Sequence, residues 1–195
     1  MNNDIDIKRS ILLIMDYQNG IVGRMPNSDI IIDKLSDLLI KCRKVSMTIG
    51  YVRVALRDDE YELVSKNNKS FREAADKRIM NDQSEDTQID QRVAPQPGDI
   101  IVRKKRVGAF STTDLDNQLK ERGIDTIILA GFSTSGVVLS TIRDAADKDY
   151  LIYVLADACS DPDQEVHNTL INKVFPRQTT VINTVDLPEL LAIDR

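Results

Sequence analysis

The chain has 195 residues, of which 42% are hydrophobic and 29% are charged, and its formal net charge at pH 7 is −5. This composition predicts one globular domain over residues 1–195 and excludes a disordered or collagen-like chain. The mild negative charge argues against nucleic acid and anionic membranes as main partners, and no apolar run approaches the ~18–20 residues that span a bilayer.

The counts of cysteine and histidine narrow the possible chemistry. Two cysteines and one histidine exclude a disulfide framework and a multi-histidine metal site. We therefore expect no metal and no cofactor. The start of the chain lacks a secretory pattern, so the expected compartment is the cytoplasm.

The first quarter of the chain predicts a strand, a helix and a second strand. The apolar run 11–15 is typical of a strand buried on both faces. Apolar residues at three- and four-residue spacing predict a helix over residues 28–47, with Ser28 and Asp29 as candidate caps. Gly50 is expected to end this helix, and residues 51–56 form the second predicted strand.

Residues 57–96 form a polar excursion with little periodicity. We expect one helical segment near residues 71–80 and a turn at residues 95–98, where two prolines and a glycine cluster. Long irregular excursions of this kind are usually lids or binding loops.

Regular alternation of strands and helices resumes after the excursion. The remaining predicted strands cover residues 99–104, 126–130, 151–156 and 180–182, and the remaining predicted helices cover residues 113–123, 135–148, 163–175 and a short stretch from 187. Six strands with intervening helices predict a mainly parallel sheet covered on both faces, which binds ligands at the carboxyl ends of its strands.

Two charged residues end predicted strands. Asp16 follows five apolar residues, so burial can raise its proton affinity into a useful range; it can equally cap a turn. Lys104 could hold Asp16 ionised or donate a proton. It could also belong to a solvated basic run over residues 103–106, which its composition favours.

The segments after the fourth and fifth strands offer further candidates. Residues 131–137 are small and lead into a helix, but they match neither a dinucleotide-binding fingerprint nor a nucleophile elbow. Cys159 and His167 could form a nucleophile and base, although isolated residues of these types are more often structural. Cys42 falls on the apolar face of its helix.

Four segments, taken in order, carry a resemblance that covers about residues 10–185. They are residues 12–18, Lys104 with residues 108–110, residues 131–141, and residues 157–158 with His167 downstream. Together they resemble the isochorismatase-like hydrolase family, also called the cysteine hydrolase superfamily. The resemblance implies a three-layer α/β fold with strand order 3-2-1-4-5-6, and a homo-oligomer that acts on a small molecule.

The resemblance also implies roles for individual residues. Asp16 and Lys104 correspond to two members of the family's catalytic triad, and the third member, a cysteine, is replaced by Val137. The substrate-binding positions it implies are Gln18, Phe132, Ser133, Thr134, Gly136 and Val137. It further implies a cis peptide bond before Ser133.

Loss of the thiol changes the expected chemistry. A valine cannot form a covalent intermediate with an amide, so amidase activity is disfavoured. Family members that hydrolyse isochorismate need no thiol, because an aspartate protonates the vinyl ether and water adds to the resulting cation. Such an anionic substrate needs basic groups, which the sequence offers without ranking them: Arg57, Arg103, Lys105, Arg106 and Arg143.

Three hypotheses follow. The favoured one is a thiol-independent hydrolase in which Asp16 is the acid and base and Lys104 is its partner. The second is a small-molecule binding or scaffold protein that has kept the fold and lost turnover. The third is an enzyme that has recruited Cys159 as a relocated nucleophile.

Overall fold

The computed structural model describes residues 5–192, which form a layered α/β structure. The strands are β1 (Ser10–Met15), β2 (Thr48–Val54), β3 (Ile100–Lys104), β4 (Thr126–Phe132), β5 (Leu151–Ser160) and β6 (Thr180–Ile182). The α-helices are α1 (Asn19–Val22), α2 (Ser28–Lys44), α3 (Lys69–Asp76), α4 (Leu115–Glu121), α5 (Leu139–Ala146), α6 (Gln164–Thr169) and α7 (Leu187–Leu190). No helix within residues 5–192 has the length and apolar character required to cross a membrane.

The six strands form one parallel sheet in the order β3-β2-β1-β4-β5-β6, which confirms the predicted fold. Leu13 in the central strand β1 pairs with Gly50 on one side and Leu129 on the other. The order of the strands reverses between β1 and β4. In open parallel sheets a ligand site lies at the carboxyl ends of the strands at such a reversal.

Each face of the sheet is covered by an apolar layer. Ile11, Leu13 and Met15 face one layer together with residues of α4 and α5, while Leu12 and Ile14 face the other together with residues of α2. Successive side chains of a strand point to opposite faces, so a strand covered on both sides must be apolar throughout. This explains the uninterrupted apolar run in β1.

The boundaries predicted around α2 were wrong. Asn27, and not Ser28 or Asp29, precedes the first helical residue, and its side chain makes no capping hydrogen bond. Gly50 does not end the helix but lies inside β2. A Cβ atom at Gly50 would lie 2.7 Å from Ile11 Cδ1, so a larger residue would require the Ile11 side chain on the neighbouring strand to shift.

Two later boundaries also differ from the prediction. The helix predicted over 135–148 begins as a wide π-helical turn, Thr134–Val138, before α5 continues to Ala146. Strand β5 runs to Ser160 and not to residue 156, because its pairing with β4 resumes after an irregularity beyond Leu129.

The polar excursion packs over the carboxyl end of the sheet. Its helix, α3, starts two residues before the predicted start at residue 71 and ends four residues before the predicted end at residue 80. Arg53 of β2 pairs with Asp82 of the excursion, and a small apolar cluster lies beneath it. The cluster contains Val54, Leu56, Tyr61, Val64, Phe71 and Ala75.

Candidate active site

A buried ion pair lies at the carboxyl ends of β1 and β3. Asp16 directly follows β1 in the left-handed backbone region, with φ of 58°, and its N–H donates to the Val52 carbonyl at 2.8 Å. Lys104 ends β3, and its Nζ lies 2.8 Å from Asp16 Oδ2. The same Nζ donates to the Val107 carbonyl at 2.7 Å. The parallel sheet thus produces the predicted contact between two residues 88 positions apart.

The environment of this pair keeps Asp16 titratable near neutral pH. Burial raises the pKa of Asp16 to about 6, although the positive charge of Lys104 acts in the opposite direction. Within residues 5–192, Asp16 Oδ1 is buried and has no hydrogen-bond partner. One carboxylate oxygen is therefore held by Lys104, while the other lacks the donor that a buried oxygen normally has.

The turn after β4 forms the neighbouring wall. The Ser133 carbonyl accepts hydrogen bonds from the N–H groups of Gly136 and Val138, and the peptide bond between Phe132 and Ser133 is cis, as the resemblance implies. A Cβ atom at Gly136 would lie 2.7 Å from Ser133 Oγ, so a larger residue would displace this hydroxyl. Val137 is buried at the position where the family's thiol is expected.

These groups share one cavity of about 320 Å³. Its polar lining side chains are Asp16, Arg24, Ser70, Lys104 and Ser133. Its apolar lining side chains are Ile21, Met25, Val54, Phe71, Met80, Val107, Phe132 and Val137. The cavity thus offers Asp16 as an acid–base group and Lys104 as the cation paired with it, in mainly apolar surroundings. Among the described residues, no thiol lines this cavity.

Two predicted substrate-binding residues support the walls and do not line this cavity. The Gln18 amide donates to the carbonyls of Val54 and Thr87, at 2.9 and 2.8 Å, and its Oε1 accepts from the Val54 N–H. Gln18 borders a neighbouring cavity of about 220 Å³. Thr134 is fully buried, and its Oγ1 lies 2.8 Å from His167 Nδ1. Both side chains are committed to protein contacts.

Neither cysteine lines the cavity. Cys159 is buried in the apolar layer that contains α4 and α5, and burial raises its pKa to about 12. Burial also raises the pKa of Cys42, in the opposite layer, to about 12. The geometry gives no support to a relocated cysteine nucleophile, because a reactive thiol needs exposure and a lowered pKa.

Sequence reasoning missed one residue that lines the cavity, Arg24, and one that supports its wall, Tyr17. Arg24 lines the cavity from the loop after α1, a helix too short to produce a periodic signal. Tyr17 stacks on Phe132, with ring centroids 4.3 Å apart, and donates to the Ala158 carbonyl at 2.8 Å. Both residues lie within eight positions of Asp16 in the segment that follows β1, and this proximity was the signal that could have marked them.

Across residues 5–192, no three side chains of histidine, cysteine, aspartate or glutamate come together in a way that could hold a metal ion.

The fold and the buried pair define a class of parallel α/β proteins with an acidic group at the reversal of strand order. Comparison with known proteins identifies the family within this class. The family model described as the isochorismatase domain matches residues 10–186. The chain is 33% identical over 174 residues to the uncharacterized isochorismatase family protein YwoC of Bacillus subtilis, covering 89% of each chain. It is 31% identical over 177 residues to YecD of Escherichia coli, covering 89% of this chain and 92% of that one.

A solved structure gives the same result. An isochorismatase family protein from Burkholderia thailandensis has a TM-score of 0.82 and 27% identity, covering 95% of this chain and 96% of the other. The chain therefore belongs to the isochorismatase family of hydrolases.

Proposed function

We propose that the protein is a thiol-independent hydrolase whose reaction starts with proton transfer from Asp16 to a small-molecule substrate. The observation that carries the proposal is the Asp16 carboxyl itself, which is buried beside the cavity with one oxygen paired to Lys104 and the other without a partner. General acids work best when their pKa lies near the working pH. With a pKa of about 6, roughly a tenth of Asp16 carries a proton at pH 7.

Val137 determines which bonds such a site can break. Amide hydrolysis through a covalent intermediate needs a nucleophile at this position, and an isopropyl group cannot act as one. An enol ether needs only a proton on its terminal carbon, which creates an oxocarbenium ion that water attacks. The hemiketal that forms then collapses to a ketone and an alcohol, so one water is consumed and Asp16 recovers its proton.

Lys104 and the apolar wall assist this reaction in different ways. Lys104 keeps Asp16 oriented and stabilises its carboxylate after the proton has been transferred. The apolar side chains around the pair limit hydration, so the charges interact more strongly than they would in water.

The test uses 2-alkoxyacrylates, which are enol ethers that release pyruvate and an alcohol on hydrolysis. Pyruvate is followed with a coupled lactate dehydrogenase assay. We expect Asp16→Asn to reduce turnover by roughly 10²–10⁴-fold, the usual contribution of a general acid. The rate with wild-type protein is expected to fall with rising pH, approaching about tenfold per pH unit above about pH 7, because the protonated fraction of Asp16 falls by that factor well above its pKa.

Two matched control variants test whether either native cysteine takes part in the reaction. Cys42→Ala and Cys159→Ala are expected to retain wild-type turnover, and iodoacetamide is expected not to inhibit. Equal turnover by wild-type and Asp16→Asn protein would refute the proposal, and loss of turnover in folded Cys159→Ala would favour the relocated nucleophile.

The absent thiol also favours a second candidate, a binding or scaffold protein that has kept the site without turnover. Under that alternative, ligands bind the cavity, Asp16→Asn changes their affinity, and no enol ether is hydrolysed at any pH.

A further inference from the structure

The candidate active site contains three charged side chains with different surroundings. Asp16 and Lys104 neutralise each other at 2.8 Å, both nearly inaccessible to solvent. Arg24 is exposed and lines the same cavity. Within residues 5–192 its guanidinium forms neither an ion pair nor a side-chain hydrogen bond to protein. The cavity therefore carries a net charge of about +1 at neutral pH, which resides on Arg24.

The basic residues that the sequence offered as anion-binding groups are engaged elsewhere. Arg103 donates to both oxygens of Glu60, at 2.6 and 3.0 Å, and Lys105 lies 3.4 Å from the same carboxylate. Arg57 lies 3.8 Å from Asp82. None of these basic residues lines the cavity that holds Asp16.

The other two candidates also lie outside the cavity. Arg106 donates to the Lys105 carbonyl, and its guanidinium lies 5.5 Å from the centroid of the Phe71 ring. Arg143 is hydrogen-bonded to Gln178. Of these six basic residues, Arg24 is consequently the one that lines the Asp16 cavity and has no side-chain partner among the described residues.

We propose that Arg24 binds the anionic end of the substrate and that the cavity selects molecules with one carboxylate and an apolar body. This inference rests on the proposed function only in that the bound molecule is called a substrate, because the binding itself does not require turnover. A guanidinium can donate two parallel hydrogen bonds to one carboxylate. A second carboxylate on the ligand would lack a partner cation, and a neutral molecule would form no ion pair with Arg24.

One neighbouring acid modulates this preference. Asp86 lines the adjoining cavity, which shares Arg24 with the first, and it is exposed. Its negative charge acts against an incoming anion. Removal of the Asp86 charge is therefore expected to strengthen anion binding slightly, whereas removal of the Arg24 charge weakens it.

The test measures the affinity of three matched probes by ligand-observed NMR: benzoate, its neutral analogue benzamide, and the dianion isophthalate. Wild-type protein is expected to bind benzoate more tightly than the other two. Arg24→Gln is expected to weaken benzoate binding at least about tenfold, the effect of losing a charge-assisted hydrogen bond, with little change for benzamide. Arg24→Lys should be intermediate, because the charge remains and the planar fork is lost.

Controls separate a charge effect from a change in fold. Arg122→Gln removes another exposed arginine, after α4, whose guanidinium donates to the Gln118 carbonyl, and it is expected to bind benzoate like wild type. Asp86→Asn is expected to bind benzoate slightly more tightly. Higher salt should reduce benzoate binding to wild type but not to Arg24→Gln, since exposed charges are screened.

Several outcomes would overturn the inference. They are wild-type protein that binds benzoate no better than benzamide, Arg24→Gln that binds benzoate like wild type, and an equal loss of benzoate and benzamide in that variant. Failure of the proposed function looks different: benzoate binding would depend on Arg24 while no enol ether is hydrolysed. Failure of the inference alone would leave hydrolysis dependent on Asp16 and independent of Arg24.

Discussion

Arg103 and Lys104 are adjacent residues of β3, and each pairs with a carboxylate, yet the two carboxylates have opposite pKa shifts. Hydrogen bonds from Arg103 lower the pKa of Glu60 to about 2, whereas burial raises the pKa of Asp16 to about 6. Successive side chains of a strand point to opposite faces, so the two cations reach different environments.

Besides the burial of Asp16, the two carboxylates differ in how many donors each receives. Both Glu60 oxygens accept from Arg103, and one also accepts from the Arg57 N–H at 2.9 Å. Asp16 accepts from Lys104 through one oxygen, and the other oxygen lacks a partner within the described residues. Two similar ion pairs thus give a carboxylate that stays ionised at neutral pH at Glu60 and one that titrates near neutral pH at Asp16.

The largest effect is expected when Asp16 loses its cation. Lys104→Met leaves a buried carboxylate without a charge partner, which typically costs about 3–5 kcal/mol in the free energy of unfolding. The cost should be smaller at pH 5 than at pH 8, because a protonated Asp16 needs no cation. Urea denaturation at both pH values measures it.

Two variants make this result specific. Asp16→Asn combined with Lys104→Met is expected to recover much of the lost stability, since both charges are removed. Lys105→Met, a change in the next residue, is expected to cost only about 0–1 kcal/mol because its pair with Glu60 is partly exposed. A Lys104→Met cost that does not depend on pH would contradict this account of Asp16.

A smaller effect, which disappears only at a more acidic pH, is expected at Glu60. The folded-state pKa of Glu60 lies below its unfolded value of about 4.3, so the stability it contributes is present above that pH and is lost as pH falls towards 2. We expect Glu60→Gln to cost about 1.5–3 kcal/mol at pH 7, the range for hydrogen bonds to charged groups. Wild-type and variant stabilities should converge on acidification.

Glu73→Gln is the matched control for this experiment. Glu73 pairs with Lys77 on an exposed surface of α3, so its substitution should leave the pH dependence of urea denaturation unchanged. If Glu60→Gln is equally silent, the hydrogen bonds from Arg103 do not stabilise the fold as described.

The smallest of these effects concerns a thiol placed beside the Asp16–Lys104 pair. We expect Val137→Cys to react with iodoacetamide at least about tenfold faster than Cys42 or Cys159, the effect of one unit of thiol pKa. Val137 is itself buried, but it lines the cavity that contains Lys104. The two native thiols do not line that cavity, and burial raises the pKa of each to about 12.

Mass spectrometry of the alkylated peptides over a range of pH gives all three rates in one protein. Adding Lys104→Met to Val137→Cys is expected to slow alkylation at position 137 if the cation lowers the thiol pKa. A thiol at position 137 that is as inert as Cys159 would show that this cavity no longer supports a nucleophile.

The sequence by itself determined the architecture and placed Asp16 and Lys104 at one edge of the sheet, while the family resemblance, and not composition, marked them as a pair. Continuous apolar runs such as that of β1 require burial on both faces, and their alternation with helices requires a parallel sheet. In that sheet the carboxyl ends of the strands lie on one edge, so Asp16 and Lys104 could be placed there without knowledge of side-chain geometry.

Only the tertiary structure decided how the remaining polar groups are used. Gln18 and Thr134 lie at the carboxyl edge of the sheet, as predicted. The Gln18 amide, however, is hydrogen-bonded to backbone carbonyls of β2 and the excursion, and the Thr134 hydroxyl is hydrogen-bonded to His167. Arg24 has no local pattern to mark it, and its importance comes from its place in the lining of the Asp16 cavity, where none of the five other basic candidates lies. Hydrogen-bond partners and the balance of burial against charge depend on residues distant in the chain, which local periodicity does not encode.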